Sequence, residues 1–428
     1  MDTQVVEKKL LASKMAENLI GSEIIKLAGE IREKVAAGAT IYNFTIGDFD
    51  PKLFPIPAEL KQAIVDHYSK DDTNYPEANG MAALRTAISS FSKKHGNYDY
   101  APNEILVSGG ARPIIYAIYR ALIDEGDKVV YPVPSWNNNH YSYMTNANQV
   151  FIETKPENNF MPLASELKVH LQDAILLSLC SPLNPTGTVF SKEQLEEICD
   201  LVLEINENRA NGAKPLYVMY DQIYWALTYG NCEHVDPVRL RPAMKQYTIY
   251  VDGISKSLAA TGVRVGWAMG PASIIDKMKN ILNHVGAWSP KPEQLATADF
   301  LTNDAAYSSF TKAFKEEIFK RLTGIYDVFN RLKADGYKVN AIKPMAAIYL
   351  TVQFDLKGAI LPDGTVLKSA RDVTRFILND AGIAIVPFNA FGADGESSWY
   401  RLSVGTCKLD DIEKVYQNLK QSLAKLKN

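Results

Sequence analysis

The chain has 428 residues, of which 46% are hydrophobic, 22% charged and 10% aromatic, the composition of a soluble globular protein and the length of about two domains. A formal net charge of −3 gives no electrostatic footprint for nucleic acid or an anionic membrane, and no uncharged apolar stretch reaches the length of a membrane span. The four cysteines (Cys180, Cys199, Cys232, Cys407) form no CxxC pair, which argues for a reduced, cytoplasmic setting without a disulfide framework or zinc site.

Charged and apolar residues alternate with helical spacing from Glu7 to about Val35, and Gly38 closes that segment. A short strand at Ile41–Phe44 follows, ahead of Gly47-Asp48. From Pro57 to Tyr250 helices and strands alternate. Strands are expected at Ile105–Val107, Lys128–Tyr131, Gln149–Ile152, Ala174–Leu179, Leu216–Tyr220 and Thr248–Val251, and helices at Arg112–Ile123 and Lys192–Asn206. Continuous β-branched and aliphatic runs separated by helices predict a mostly parallel sheet covered on both faces. Beyond about Asp304 the pattern changes to a long charged helix (Ala313–Lys333), short strands near Ala347–Val352 and Tyr400–Val404, and a closing helix Asp410–Lys427. The expected organisation is therefore α/β. A large domain spans 57–304, and a smaller α+β domain spans 305–428 and is joined by the N-terminal segment 1–56. Ala210–Lys214 reads as an exposed loop.

In open parallel sheets ligands bind beyond the carboxyl ends of the strands, and here those ends carry chemistry. Ser108-Gly109-Gly110-Ala111-Arg112 leads into a helix, where bare backbone amides suit a phosphate or simply make a tight turn. Pro132-Val133-Pro134-Ser135 presents Trp136, either as a flat stacking face or as a core residue. Cys180-Ser181-Pro182-Leu183-Asn184-Pro185-Thr186-Gly187 is a proline-fixed polar loop that holds the Asn184 amide. Asp221 directly follows an apolar run and needs a cation or a donor, with the phenol of Tyr224 three residues on. Lys256 follows Tyr247–Val251 among small hydroxyl residues, where desolvation favours a neutral, nucleophilic amine. Arg264, eight residues later, suits an anion. Together these groups match pyridoxal 5′-phosphate (PLP): a lysine for its aldehyde, an anion for its ring nitrogen, donors for its ring oxygen, a flat face for the ring, and amides plus arginine for the phosphate.

Over essentially its whole length the chain resembles the fold-type-I PLP enzymes of the class I/II aminotransferase family. The resemblance is carried by Tyr75-Pro76-Glu77-Ala78-Asn79-Gly80 with Leu84-Arg85, Gly110-Ala111-Arg112, Asn184-Pro185-Thr186-Gly187, Asp221-Gln222-Ile223-Tyr224, Ser255-Lys256 with Arg264, and Tyr400-Arg401-Leu402-Ser403, in the family's order. It implies a large domain on a mostly parallel seven-stranded sheet. It also implies that Lys256 carries the cofactor and shuttles a proton, that Asp221 pairs with the ring nitrogen, and that Asn184 and Tyr224 contact the ring oxygen. Trp136 would stack on the ring. The backbone amides of Ala111 and Arg112 beside Gly110, the Ser255 hydroxyl and Arg264 would hold the phosphate. Arg401 would clamp the substrate α-carboxylate, Gly47 would cover the substrate, and Tyr75 would reach the phosphate of a neighbouring subunit in a homodimer with shared sites. One departure is Gly253, where family members commonly carry a hydroxyl residue, so one phosphate hydrogen bond is expected to be missing. His140 is assigned no role.

The resemblance points to ping-pong transfer of an amino group between an L-amino acid and a 2-oxo acid. A lysine of bacterial aspartate aminotransferases that contacts the distal carboxylate makes Arg112 either such a contact or a solvated helix-start residue. Aspartate/2-oxoglutarate is the first expectation. Ile281–Pro290 carries no arginine to read a dicarboxylate, however, and Tyr42, Trp136 and Trp225 could line a pocket for aromatic or broader substrates. The alternatives are a β-eliminating carbon–sulfur lyase and a PLP-sensing regulator; against the latter, the 40 residues before Ile41 lack a basic DNA-binding footprint. Gly262-x3-Gly266-x3-Gly270 sits around Arg264 and is not a membrane contact motif, and Cys232 with His234 reads as a surface loop rather than a metal site.

Overall fold

In the computed structural model, residues 12–19, 21, 23–96 and 98–427 are described, with the backbone alone for 23–26. The expected first helix is interrupted. Its described part forms Lys14–Asn18 and Glu23–Ala36, parted around Gly21, and residues 7–11 of that expectation lie outside the described residues. Glycine favours such a break because it gives up the most backbone freedom in a helix.

The strands are β1 (Tyr42–Asn43), β2 (Ile105–Ser108), β3 (Lys128–Val133), β4 (Asn148–Glu153), β5 (Ala174–Cys180), β6 (Tyr217–Asp221), β7 (Thr248–Gly253), β8 (Gly266–Met269), β9 (Val339–Ala341), β10 (Tyr349–Phe354), β11 (Ile383–Ala384), β12 (Val386–Pro387) and β13 (Trp399–Ser403). Seven of them make one sheet in the order β2-β8-β7-β6-β5-β3-β4. Only β8 runs antiparallel to its neighbours, pairing Gly253 with Gly266 and Ser108 with Gly266 across its two edges. The six parallel strands are those expected from the sequence; β8 is an addition, a four-residue run set between glycines. Strands β2, β5 and β7 are buried nearly throughout, because helices cover both faces. The long helix at Lys192–Glu207 starts where Ser191 and Gln194 cap one another reciprocally, and it buries Leu195, Ile198, Cys199, Val202 and Ile205.

A four-stranded antiparallel sheet, β12-β13-β10-β9, packs with the 31-residue helix Asp304–Ala334 and the closing helix Ile412–Leu423. The N-terminal segment joins this smaller unit: β1 pairs in parallel with β11, and Phe44, Phe49 and Phe54 enter the same core as Ile318, Leu322, Leu350 and Leu402. The fold is thus α/β with a mostly parallel sheet, plus a smaller α+β unit built from both ends of the chain. No helix of the described residues is long and apolar enough to cross a membrane.

Candidate active site

The carboxyl ends of β5, β6 and β7 open into a cavity of about 790 Å³ closed on its other side by residues 45–48, Tyr349 and Arg401. The turn Ile254–Ser257 after β7 carries Lys256 into it. The Lys256 amine donates to the Gly47 carbonyl at 2.6 Å. Burial pulls its pKa down to about 8; Asp48 opposes that shift, and the positive charges of Arg401, Arg112 and Arg264 reinforce it.

Arg264 sits in the left-handed region (φ 63°) ahead of β8 and donates to the carbonyls of Thr261 (2.6 Å) and Gly109 (2.8 Å). Its guanidinium lies against Gly110, where a Cβ would fall 1.9 Å from Nη2; at φ 98° that position is also one glycine accepts readily. Gly110 opens the helix Ala111–Leu122, so the helix's first amides and a guanidinium share one spot, a seat for a phosphate-like anion. Burial lowers the pKa of Arg264, and neighbouring Arg112 lowers it further. The Arg112 guanidinium stacks on Trp136 at 4.5 Å from the ring centre.

Asp221 ends β6. Its carboxylate accepts the Ile223 amide at 3.1 Å, and burial pushes its pKa up to about 6 with no cation to offset the shift. Such an acid is arranged for a cationic partner supplied from outside the chain. The Tyr224 and Tyr349 hydroxyls lie 2.6 Å apart. Arg401, 2% exposed, donates to Asn184 Oδ1 (3.0 Å) and to the Thr45 carbonyl (2.7 Å), between the rings of Tyr349 and Phe391. Its Nε is buried without a partner, which leaves one edge of the guanidinium ready for a carboxylate.

The cavity therefore gathers Gly47, Ala111, Arg112, Trp136, Asn184, Asp221, Tyr224, Ser255, Lys256, Arg264 and Arg401 from across the chain. Tyr75 stands apart, 82% exposed and edge-to-face with Trp288. Of the three aromatic residues considered for a wide pocket, only Trp136 lines the cavity. Tyr42 packs on the small-domain core, and Trp225 packs beside Phe91 in the large-domain core. His234 is not on a free surface loop either: it is partly buried and contacts Gln222 at 3.2 Å, and no metal-ligating group of three occurs among the described residues. Sequence reasoning missed Arg32, Thr45, Asp48, Asn138, Ser178 and Tyr349 in the lining. Asp48 and Thr45 had a visible signal beside Gly47, as did Asn138 beside Trp136 and Ser178 near the end of β5; Arg32 and Tyr349 are brought in only by tertiary packing.

A desolvated lysine, an unpaired buried acid, a glycine–arginine anion seat and a buried arginine thus meet at one edge of a mostly parallel sheet. The model of the family "Aminotransferase class I and II" matches residues 39–419, and the chain belongs to that family. It is similar to the aspartate aminotransferase of Bacillus sp. (strain YM-2), at 30% identity over 96% of this chain and 98% of that one. It is also similar to a probable aspartate/prephenate aminotransferase of Rickettsia conorii, at 27% identity and 94% coverage of both. Among solved structures, the aspartate aminotransferase of Rhizobium meliloti superposes with a TM-score of 0.90 at 24% identity, covering 98% and 100% of the two chains. The aromatic aminotransferase of Pyrococcus horikoshii OT3 gives a TM-score of 0.79 at 25% identity, covering 92% and 98%. The protein is a PLP-dependent transaminase. Its residues fit that cofactor: Gly110 leaves room under Arg264 that a Cβ would fill, and Asp221 is a buried acid lacking a cation.

Proposed function

We propose that the enzyme transfers the amino group of aspartate to 2-oxoglutarate, with Lys256, Asp221, Asn184, Tyr224, Arg264 and Arg401 as its working residues. The observation that carries the substrate reading is the charge lining the cavity: Lys256, Arg32, Arg112, Arg264 and Arg401 against only Asp48 and Asp221. Arg264 with the helix amides suits the phosphate and Arg401 the α-carboxylate, which leaves Arg112 and Arg32 in the lining to face a second carboxylate.

In this reading the first amides of the helix Ala111–Leu122, the Ser255 hydroxyl and Arg264 hold the phosphate. Asp221 pairs with the ring nitrogen, Asn184 and Tyr224 donate toward the ring oxygen, and Trp136 covers one ring face. When bound, PLP supplies an electron sink for the pair of electrons left at the substrate Cα. Arg401 grips the α-carboxylate along its unpartnered edge, and Asn184, already bonded to Arg401, fixes its angle. Lys256, with its pKa about 8, is part neutral at physiological pH and suited to take the Cα proton and return it. Its bond to the Gly47 carbonyl ties the covering segment to the base.

Tyr75, exposed beside Trp288 rather than in this chain's own cavity, with Val285 also exposed nearby in sequence, supports a homodimer with shared sites. The free cysteines fit a reduced, cytoplasmic setting. The substrate test is a panel of amino donors with 2-oxoglutarate. Turnover of aspartate well above that of alanine and phenylalanine is expected, and activity with alanine or phenylalanine but none with aspartate would sink the dicarboxylate reading. Pyruvate and ammonia released from a cysteine conjugate without any oxo acid would mark a carbon–sulfur lyase instead.

A further inference from the structure

The two side chains that would face the ring oxygen stand on separate loops of the large domain, Asn184 after β5 and Tyr224 after β6. Residues 345–351, which lead into β10 of the smaller unit, are bonded to both loops. On the first, the Ala346 amide donates to the Gly187 carbonyl (2.9 Å) and the Thr351 hydroxyl to the Thr186 carbonyl (2.8 Å). On the second, the Ala347 amide donates to the Leu227 carbonyl (2.7 Å), and the Tyr229 hydroxyl donates back to the Ala347 carbonyl (2.6 Å). Gly187, at φ 70°, presses on the same segment: a Cβ there would fall 2.2 Å from the Tyr349 carbonyl oxygen. Tyr349 therefore enters the cavity from a backbone fixed to both loops, and its hydroxyl lies 2.6 Å from that of Tyr224. Its ring is held against Arg401, whose guanidinium lies 4.8 Å from the ring centre, and a Cβ on Gly47 would fall 2.8 Å from its hydroxyl.

Among the described residues neither hydroxyl makes another hydrogen bond. Burial raises the pKa of both phenols, so both keep their protons at physiological pH. Two phenols carry two protons and share one hydrogen bond, which leaves one proton to donate into the cavity. We infer that Tyr349 is a positioning residue for the cofactor: its hydroxyl donates to the Tyr224 oxygen and so commits the Tyr224 proton to the ring oxygen. This rests on the reading above that Tyr224 contacts the ring oxygen, and it names the group that aims that contact. A hydroxyl that accepts one hydrogen bond is also the stronger donor in its next. Asn184 is set in the same sense, since its Oδ1 accepts from Arg401 and leaves the amide hydrogens as its donors.

The test compares the full-length chain, freed of cofactor, with its Tyr349→Phe, Tyr224→Phe and doubly substituted variants. Two probes are titrated by tryptophan fluorescence: pyridoxine 5′-phosphate, and its 3-deoxy analogue, which lacks the ring oxygen. The ratio of their dissociation constants isolates the ring-oxygen contact, because a general loosening of the fold weakens both probes alike. Tyr349→Phe is expected to lower the preference for pyridoxine 5′-phosphate about fivefold, the effect of one neutral hydrogen bond. Tyr224→Phe should lower it at least as far, and adding Tyr349→Phe to that variant should change nothing more. An unchanged preference in Tyr349→Phe, or an equal loss whether or not Tyr224 is present, would overturn the assignment. A wild-type chain that binds both probes equally overturns the ring-oxygen reading itself, and one that binds neither overturns the cofactor site; both failures are read before any variant is made.

Discussion

The hydroxyls of Tyr224 and Tyr349 meet at 2.6 Å in the wall of the cavity, one carried by the turn after β6 and the other by β10 of the antiparallel sheet. Both side chains are 2% exposed, and this bond joins the two halves of the molecule beside the lysine, together with those of Arg401 to Asn184 and Lys256 to Gly47. Each phenylalanine variant should lose about 1 kcal/mol of stability, and the double variant should lose less than the sum, because the second change has no bond left to break. Urea unfolding of the four proteins measures this. Strict additivity would show that the pair contributes nothing by being paired.

Lys256 makes the cofactor-free protein sensitive to alkaline pH. Its amine has a pKa near 8 when folded against 10.5 in the unfolded chain, so below about pH 8 the folded protein carries a buried ammonium. Between pH 8 and 10.5 the unfolded chain keeps a proton that the folded one has lost. Stability therefore rises with pH across that window, by up to about 3 kcal/mol. Lys256→Met should abolish turnover yet raise the urea midpoint of the apoprotein at pH 7, with the advantage fading by pH 10. Equal midpoints for wild type and variant at pH 7 would contradict this.

Asp221 gives the acidic counterpart. Burial holds its carboxyl near pKa 6 rather than 3.8, so between those values the folded protein binds a proton that the unfolded chain has released, and stability falls as pH rises. At pH 7 the ionised, unpaired acid costs up to about 3 kcal/mol. Asp221→Asn should accordingly stabilise the apoprotein at pH 7, match wild type near pH 3.5, and release PLP more readily on dialysis. A variant that is less stable at pH 7 and retains cofactor equally well would refute the pairing with the ring nitrogen.

Gly253 stands where family members commonly carry a hydroxyl residue, and one phosphate hydrogen bond is expected to be missing there. A Cβ there would meet the Gly266 Cα and the Val265 carbonyl, both at 2.8 Å. Gly253→Ser is therefore expected to lose about 1–3 kcal/mol through displaced backbone and to gain no PLP affinity. Thermal unfolding of the apoprotein and equilibrium dialysis of the cofactor measure both.

The strand-end chemistry was legible because each group sits within a few residues of a buried strand: Asp221 ends β6, Asn184 follows β5, and Lys256 follows β7. The parallel sheet was legible for the same reason, as unbroken aliphatic runs. Strand β8 was not, since four residues that begin on Gly266 and stop before Gly270 carry little periodic signal. Arg32 and Tyr349 were not either. One lies on a surface-patterned helix and the other in an ordinary strand, and only long-range packing delivers them to the cavity. Trp225 failed in the opposite sense: it was a candidate for an aromatic-lined pocket, but its ring turns to Phe91 in the core.

The close approach of Gly253 to Gly266 has a bearing on how such an enzyme diverges. With no side chain between β7 and β8 at that point, the Lys256 amine and the Arg264 guanidinium, proposed here for the proton and the phosphate, are cast as one piece. Their spacing has no adjustable part, so variation there is paid in cofactor and catalysis together. On the side that closes the cavity, Gly47 is held as tightly, a Cβ there falling 2.8 Å from the Tyr349 hydroxyl, and Arg401 is bonded to Asn184, but Ala28 and Arg32 lie on a helix outside that casting. New substrate preferences are open to this scaffold through its lid-side half, while the casting stays as it is.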